Sequence, residues 1–296
     1  GKSSVYPIFT HNYNPDGGIL GTYVTQNQGI YYAAGKWRIF NEDKSAFTSN
    51  SSYNVMVPST DAVSWTHEAD TGNIYLNQTE IDHPIINGDS SAVVLVSHMW
   101  TSEYVDKVIG VYYSQSSQKW RVFLEGGIGQ MMPDGAKFNV VVAKKNKPMY
   151  DAIQVKADVN NTSNHVMKLD HPDLNGNPDA IVFVTQNYNV LAGNGKYNNN
   201  PVGVYYTGAK WAVYNEDLVN MPSGAGFNVL FFHNKNISVN ENRIISNDVK
   251  VFPNPAEVSG KVTVQLENAT QGVVEVKVYS LAGVCVLEKQ VESFGN

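Results

Sequence analysis

One pattern of residues is written three times along this chain, and that repetition constrains its fold more than any other feature. The fullest version opens Asp170-His171-Pro172 and Asn175-Gly176, then runs through the apolar stretch Ala180–Thr185 into Gln186-Asn187-Tyr188. After a Gly/Asn-rich loop, Asn189 to Asn200, it continues with Val202-Gly203-Val204-Tyr205-Tyr206 and Lys210-Trp211-Ala212-Val213-Tyr214-Asn215-Glu216-Asp217, and it closes on Phe227-Asn228-Val229. The preceding version has Asp82-His83-Pro84, Asn87-Gly88, Ala92–Ser97, His98-Met99-Trp100, Ile109-Gly110-Val111-Tyr112-Tyr113, Lys119-Trp120-Arg121-Val122-Phe123 and Phe138-Asn139-Val140 in the same order. The earliest lacks the Asp-His-Pro opening but keeps His11-Asn12-Tyr13, Gly29-Ile30-Tyr31-Tyr32, Lys36-Trp37-Arg38-Ile39-Phe40-Asn41-Glu42-Asp43 and Tyr53-Asn54-Val55. Trp37, Trp120 and Trp211 stand 83 and 91 residues apart. A period of about 85–90 residues is too long for a solenoid turn and suits one small β-domain or blade per copy.

The copies are placed at 1–57, 58–143 and 144–232, with a linker at 233–249 and a separate module at 250–296. Ala69–Ile81 resembles Ala157–Leu169, and His233–Arg243 reads as a shortened last version, so a strand is expected to pass from one copy to the next. Ala92–Val96 and Ala180–Val184 are continuous apolar runs of strand length, the mark of strands covered on both faces. The Gly-x-Tyr-Tyr and Lys-Trp pieces, joined by short loops, predict hairpins. Alternation places Trp211 and Val213 on one face, and all three repeat tryptophans are expected in cores. Asn54, Asn139 and Asn228 lie in strand-like text, where a buried amide bonds neighbouring backbone. The fold class is therefore all-β: three tandem β-rich repeats, then a small Ig-like β-sandwich tail.

Charged residues are only 16% of the chain and the net charge is −6. No basic face is available for nucleic acid, so none is expected as a partner. No apolar run approaches 20 residues, so no transmembrane segment is predicted. The single cysteine, Cys285, excludes an internal disulfide. The start Gly1-Lys2-Ser3-Ser4 is read as a mature or engineered N-terminus from which a signal has been removed.

The tail opens Val251-Phe252-Pro253-Asn254-Pro255-Ala256, alternates through Val262–Leu266 and Val274–Tyr279, and turns at Ser280-Leu281-Ala282-Gly283. These residues resemble the C-terminal sorting domain of the type IX secretion system of Bacteroidota, a family with a Pro-Asn-Pro start, a strand pair and a Tyr-(Ser/Asp)-Leu-x-Gly turn. The likeness covers about 45 residues; the family's closing Leu-x-x-Gly-(Val/Ile)-Tyr hairpin has no counterpart before Asn296. The resemblance implies a secreted or outer-surface protein and the type IX export machinery as a partner. The repeat itself resembles an uncharacterised domain of secreted bacterial proteins over most of residues 8–232, which implies no activity.

No nucleophile elbow, phosphate loop or dinucleotide fingerprint is present, and no catalytic residue is assigned. Adjacent strand residues face opposite ways, so an Asn-Glu-Asp triplet cannot supply a facing acid pair. His83 and His171 read as turn residues bonding locally. Asp170, Asp173, Asn175, Asn177 and Asp179 have the oxygen density of a calcium loop without EF-hand spacing; calcium is the one cofactor entertained. Exposed aromatics and amides direct a ligand-binding expectation to Trp100, Tyr188, Asn187, Asn189, Asn194 and Tyr197. The function expected is non-catalytic binding or adhesion at the cell surface, multivalent through the repeats, with a glycan or surface protein as partner. The alternatives are a self-associating surface-layer, matrix or filament subunit, and a secreted polysaccharide hydrolase.

Overall fold

The computed structural model describes residues 4–15, 21–58, 63–127, 129–143, 150–233, 249–252, 263–266, 272–279 and 285–293. The first copy contributes β1 (Ile8–His11), β2 (Gln28–Ala33), β3 (Lys36–Asn41) and β4 (Tyr53–Met56). The second has β5 (Val63–Glu68), β6 (Ile74–Tyr75), β7 (Gln78–Ile81), β8 (Val93–Met99), β9 (Ile109–Ser114), β10 (Lys119–Leu124) and β11 (Lys137–Ala143). The third matches it with β12 (Tyr150–Lys156), β13 (Thr162–Ser163), β14 (Val166–Lys168), β15 (Ile181–Asn187), β16 (Val202–Tyr206), β17 (Trp211–Asn215) and β18 (Gly226–Phe232), plus a single 3-10 turn at Val190–Ala192. The tail carries two antiparallel hairpins: β19 (Val249–Phe252) with β20 (Thr263–Leu266), and β21 (Gly272–Tyr279) with β22 (Cys285–Ser293). The chain is all-β, as its patterning predicts. The connector-like stretch 234–243, the tail's opening beyond Phe252 and its 280–284 turn lie outside the described residues.

The three copies form one compact unit over Gly1–Ile237, and Ser238–Asn296 form a second. Within the first unit no copy keeps its strands to itself. One sheet runs β12-β18-β15-β9-β10-β7-β6 and another β5-β11-β8-β2-β3, each crossing from one copy into the next. The crossings are parallel: β8 lies beside β2, and β15 beside β9. The third crossing, a parallel bridge from Asn12 to Val204, joins the first copy back to the third and closes a ring.

This wiring explains the two-sided burial of the apolar runs. Val94 and Val96 of β8 pack inside their own sandwich with Trp120, Val122, Phe138 and Val140. Val93 and Leu95, on the opposite face, meet Ile8, Val141, Phe183 and Leu230 in a core shared by all three copies. Around that core the copies are tied by matching hydrogen bonds. Ser97 Oγ accepts the Phe9 N–H (3.3 Å), Thr185 Oγ1 that of Val96 (3.0 Å) and Thr10 Oγ1 that of Val184 (3.1 Å). The Asn54, Asn139 and Asn228 amides donate to the carbonyls of Val182, Pro7 and Val94 in a neighbouring copy, at 2.8–2.9 Å. The repeated asparagines are thus inter-copy clamps, each satisfying a carbonyl that burial would otherwise strand.

The Asp-His-Pro, Asn-Gly and Lys-Trp landmarks belong to one knot. Asp82 accepts from Asn87 (2.7 Å) and Lys119 (2.8 Å), and the Trp120 indole N–H donates to the Asp89 carbonyl. Asp170, Asn175, Lys210, Trp211 and Asn177 repeat the arrangement. The turn histidines bond locally: Nδ1 of His83 accepts from the Ile85 N–H and Nδ1 of His171 from that of Asp173. Trp120 and Trp211 are buried, as alternation predicts, but Trp37 is only half-buried. Among the described residues the first copy has no counterpart of β5–β7.

Candidate functional site

Each place where one copy hands over to the next carries the same group of residues. A glutamate follows the Lys-Trp strand: Glu42, Glu125 and Glu216. All three are buried. One carboxylate oxygen accepts a backbone N–H from a loop of the neighbouring copy, Val105 for Glu42 (2.9 Å), Asn198 for Glu125 (3.2 Å) and Val24 for Glu216 (2.9 Å). At two junctions the other oxygen takes the Nδ1–H of a buried imidazole, His98 on Glu42 and His11 on Glu216 (2.5 Å). A carboxylate only accepts, so Nδ1 must carry the proton. The remaining junction, at Glu125, has Gln186 in the histidine's place, and Gln186 bonds the Asn200 carbonyl instead. Burial with only a backbone amide in compensation pushes Glu125 up to about 8.

The glycines of the Gly-x-Tyr-Tyr pieces make this geometry accessible. A Cβ on Gly29 would collide with the Glu42 carboxylate, and one on Gly203 would collide with that of Glu216. Only a residue without a side chain lets the acid lie across the neighbouring strand.

Four aromatic side chains surround each of these anchors. At the first junction they are Tyr31, Phe40, Trp100 and Tyr104, in contact around a quadrilateral with centroids 5.6–6.0 Å apart. At the second they are Tyr112, Phe123, Tyr188 and Tyr197. At the third they are Tyr205, Tyr214, Tyr13 and Tyr23. The outermost ring of each group, Tyr104, Tyr197 or Tyr23, immediately precedes the loop residue whose N–H the glutamate holds. These three rings are 38%, 37% and 40% exposed, so the equivalence extends to the surface. Burial holds the phenols of Tyr23, Tyr112, Tyr197 and Tyr205 above the ordinary tyrosine range, which keeps them protonated and able to donate.

The three groups differ in how open they are. At the second and third junctions a diagonal contact, Phe123–Tyr188 or Tyr13–Tyr214, crosses the quadrilateral. The first has no such contact among the described residues and encloses a recess of about 420 Å³, against about 180 Å³ at the second. Loop length accounts for the difference. Trp100 to Val105 is five residues, whereas Tyr188–Asn198 and Tyr13–Val24 span ten and eleven. The longer loops lay Gly195 and Gly21 against the Tyr188 and Tyr13 rings, so closely that a Cβ on either would collide with them. Asn41, Lys44, Ser45 and Phe47 complete the open recess, with Lys44 Nζ 4.3 Å from the Tyr104 ring centre. The Trp100 indole N–H is buried without a partner among the described residues.

The residues expected to bind a ligand therefore fall into two groups. Trp100, Tyr188 and Tyr197 line recesses, at two different junctions. Asn187 and Asn189 do not face a ligand. Asn187 donates to Asn228 and accepts from the Asn189 N–H, while the Asn189 amide clamps both N–H and C=O of Tyr113; Asn14 does the same to Tyr206. Strand continuity claims these amides first, because an unpaired parallel edge strands backbone groups. Asn194 is exposed on the same loop. In the calcium-like loop, Asp170 is held by Asn175 and Lys210, and Asn177 donates to the Asp173 carbonyl and accepts from Trp211 through its own. Asp179 is exposed beside them. Among the described residues, no three His, Cys, Asp or Glu side chains converge on a metal position.

A further cavity, of about 130 Å³, lies where Thr10, Ser97 and Thr185 meet, with His11, His98 and Gln186 in its wall. Its polarity suits bound water. The His–Glu anchors escape sequence reasoning because their partners lie 56 and 205 residues apart. The persistence of Glu42, Glu125 and Glu216 at matched positions is the available signal.

A family model for a domain of unknown function, DUF7452, matches the chain three times, at residues 1–57, 39–127 and 110–231. Neither a search of curated proteins nor one of solved structures finds a match. No helix among the described residues is long and apolar enough to cross a membrane. With its three matches spanning most of the sequence, the chain belongs to the DUF7452 family.

Proposed function

We propose that this protein is a non-catalytic binding protein whose aromatic recesses engage glycans, with the open recess at Trp100 as the principal site. One observation carries the reading: the same four-ring group recurs at all three junctions, and one of the three is open. Aromatic faces stack on the apolar face of a sugar ring, while neutral phenols and amides at the rim hydrogen-bond its hydroxyls. The exposed Tyr104 and Ser45 side chains supply that rim. Weak recesses on one body gain avidity on a repeating polymer. The tail's motifs support display outside the cell through type IX export.

A glycan array probed with the intact chain, followed by titration of the best ligand against Trp100→Ala, tests the reading. Removing a stacking platform is expected to cost about 1–3 kcal/mol, a loss of roughly 5- to 150-fold. Blank arrays, or a ligand that binds Trp100→Ala as tightly as the parent, would refute it.

A further inference from the structure

The open recess differs from its counterparts in charge as well as in size. The turn after each Lys-Trp strand places one residue in the left-handed region: Lys44 (φ 63°), Gly127 (φ 82°) and Leu218 (φ 63°). Glycine meets that conformation without strain, so the backbone gives no reason for a lysine there. The Lys44 side chain lines the recess, where its ammonium rests 4.3 Å from the Tyr104 ring centre. Lys44 is the one charged residue in that wall, and the wall of the second recess has none. Leu218 brings no charge to the third turn.

That charge is held ready and unspent. Lys119, Lys137 and Lys210 each pair with a carboxylate, at 2.8, 3.1 and 2.9 Å. Lys44 forms no ion pair among the described residues. The two acids that precede it are committed elsewhere: Glu42 turns inward to His98 and the Val105 N–H, and Asp43 accepts the Ser45 N–H (2.8 Å). A ring face attracts an ammonium without satisfying its three N–H donors. Docking on Tyr104 also fixes the long side chain beforehand, which removes part of the ordering cost a free lysine would meet on binding.

We propose that the open recess is selective for acidic glycans, with Lys44 pairing the carboxylate or sulfate of a sugar whose ring stacks on Trp100. The inference rests on the glycan reading of this recess and adds the ligand's charge. The chain's net charge of −6 does not oppose it at contact range, because exposed charges farther off than about 8 Å are screened at physiological salt.

The test prints matched pairs on the glycan array: oligogalacturonates and heparin-derived oligosaccharides beside their carboxyl-reduced and desulfated forms. The full chain is expected to bind the acidic member of a pair about tenfold or more tighter than the neutral one, the worth of a charge-assisted hydrogen bond. In Lys44→Gln that ratio should fall to roughly one, and Lys44→Arg should keep it. Lys44→Gly should also abolish the preference while melting no lower than the parent, since glycine suits the left-handed turn. Raising the ionic strength should weaken binding of the acidic member and spare the neutral one. A purely structural role for Lys44 would move neither the ratio nor its salt dependence. A preference for the uronates or for the sulfated members identifies which anion Lys44 takes. The proposal is overturned if neutral members bind as tightly as their acidic partners, or if Lys44→Gln leaves the ratio intact; the glycan reading then still stands. An array blank in both members overturns the glycan reading itself, and this inference with it.

Discussion

Replacing Glu125 by glutamine should stabilise the protein in alkaline solution and leave it unchanged in acid. Glu125 is 4% exposed and has a backbone amide where its two counterparts also have an imidazole. Burial raises it from 4.5 to about 8. Between those values the folded chain holds one proton more than the unfolded chain, so stability falls as pH rises through the window and levels off above about 8. The interval corresponds to about 5 kcal/mol, an upper value because local opening relieves part of it. In Glu125→Gln the new side chain cannot ionise, yet its amide carbonyl still accepts the Asn198 N–H. Urea unfolding followed by tryptophan fluorescence at pH 5, 6.5 and 8.5 gives the difference between variant and parent, in which all other titrations cancel. That difference should be below about 1 kcal/mol at pH 5 and grow to about 3–5 kcal/mol at pH 8.5. Gln186→His, which installs the imidazole found at the other junctions, should flatten the dependence by supplying a partner for the ionised acid. A difference that is constant with pH would refute the assignment of a lone, protonated glutamic acid.

Two further outcomes follow from the junction geometry. Asn228→Ala removes the bond to Val94 and leaves the Asn187 amide without its acceptor, so it should cost about 3 kcal/mol in denaturant unfolding. Gly203→Ala places a methyl group against the Glu216 carboxylate and the Tyr214 hydroxyl; it should cost about 1–3 kcal/mol or more, and the melting temperature will show it.

Much of a single copy is legible in its own residues. The alternation around Trp120 and Trp211 places both in cores, and the asparagines inside strands announce backbone clamps. What lies between copies is not legible. Parallel pairing of β8 with β2, and the His98–Glu42 contact it allows, joins residues whose separation carries no periodic signal. The same limit explains Trp37. Its strand carries the full core pattern, and only the topology shows that this strand ends its sheet among the described residues. Asn187 and Asn189 mislead for a related reason: an amide in a polar loop looks available until the strand it holds is known. Trp100, Tyr188 and Tyr197 can be picked out one by one, but that each belongs to a group of four rings drawn from two copies emerges only from the ring of junctions.

The seam between Asn12 and Val204 has a further consequence. In an open array of repeats, units can be gained or lost at either end, because every internal interface is alike and the ends are free. Here the first strand must find a partner some two hundred residues later, in the third copy. A duplication that added a fourth unit would have to break that seam or widen the shared core around Leu95, Phe183 and Leu230. The number of copies within this closed unit is therefore set by geometry, and the unit can close only after its third copy has been made.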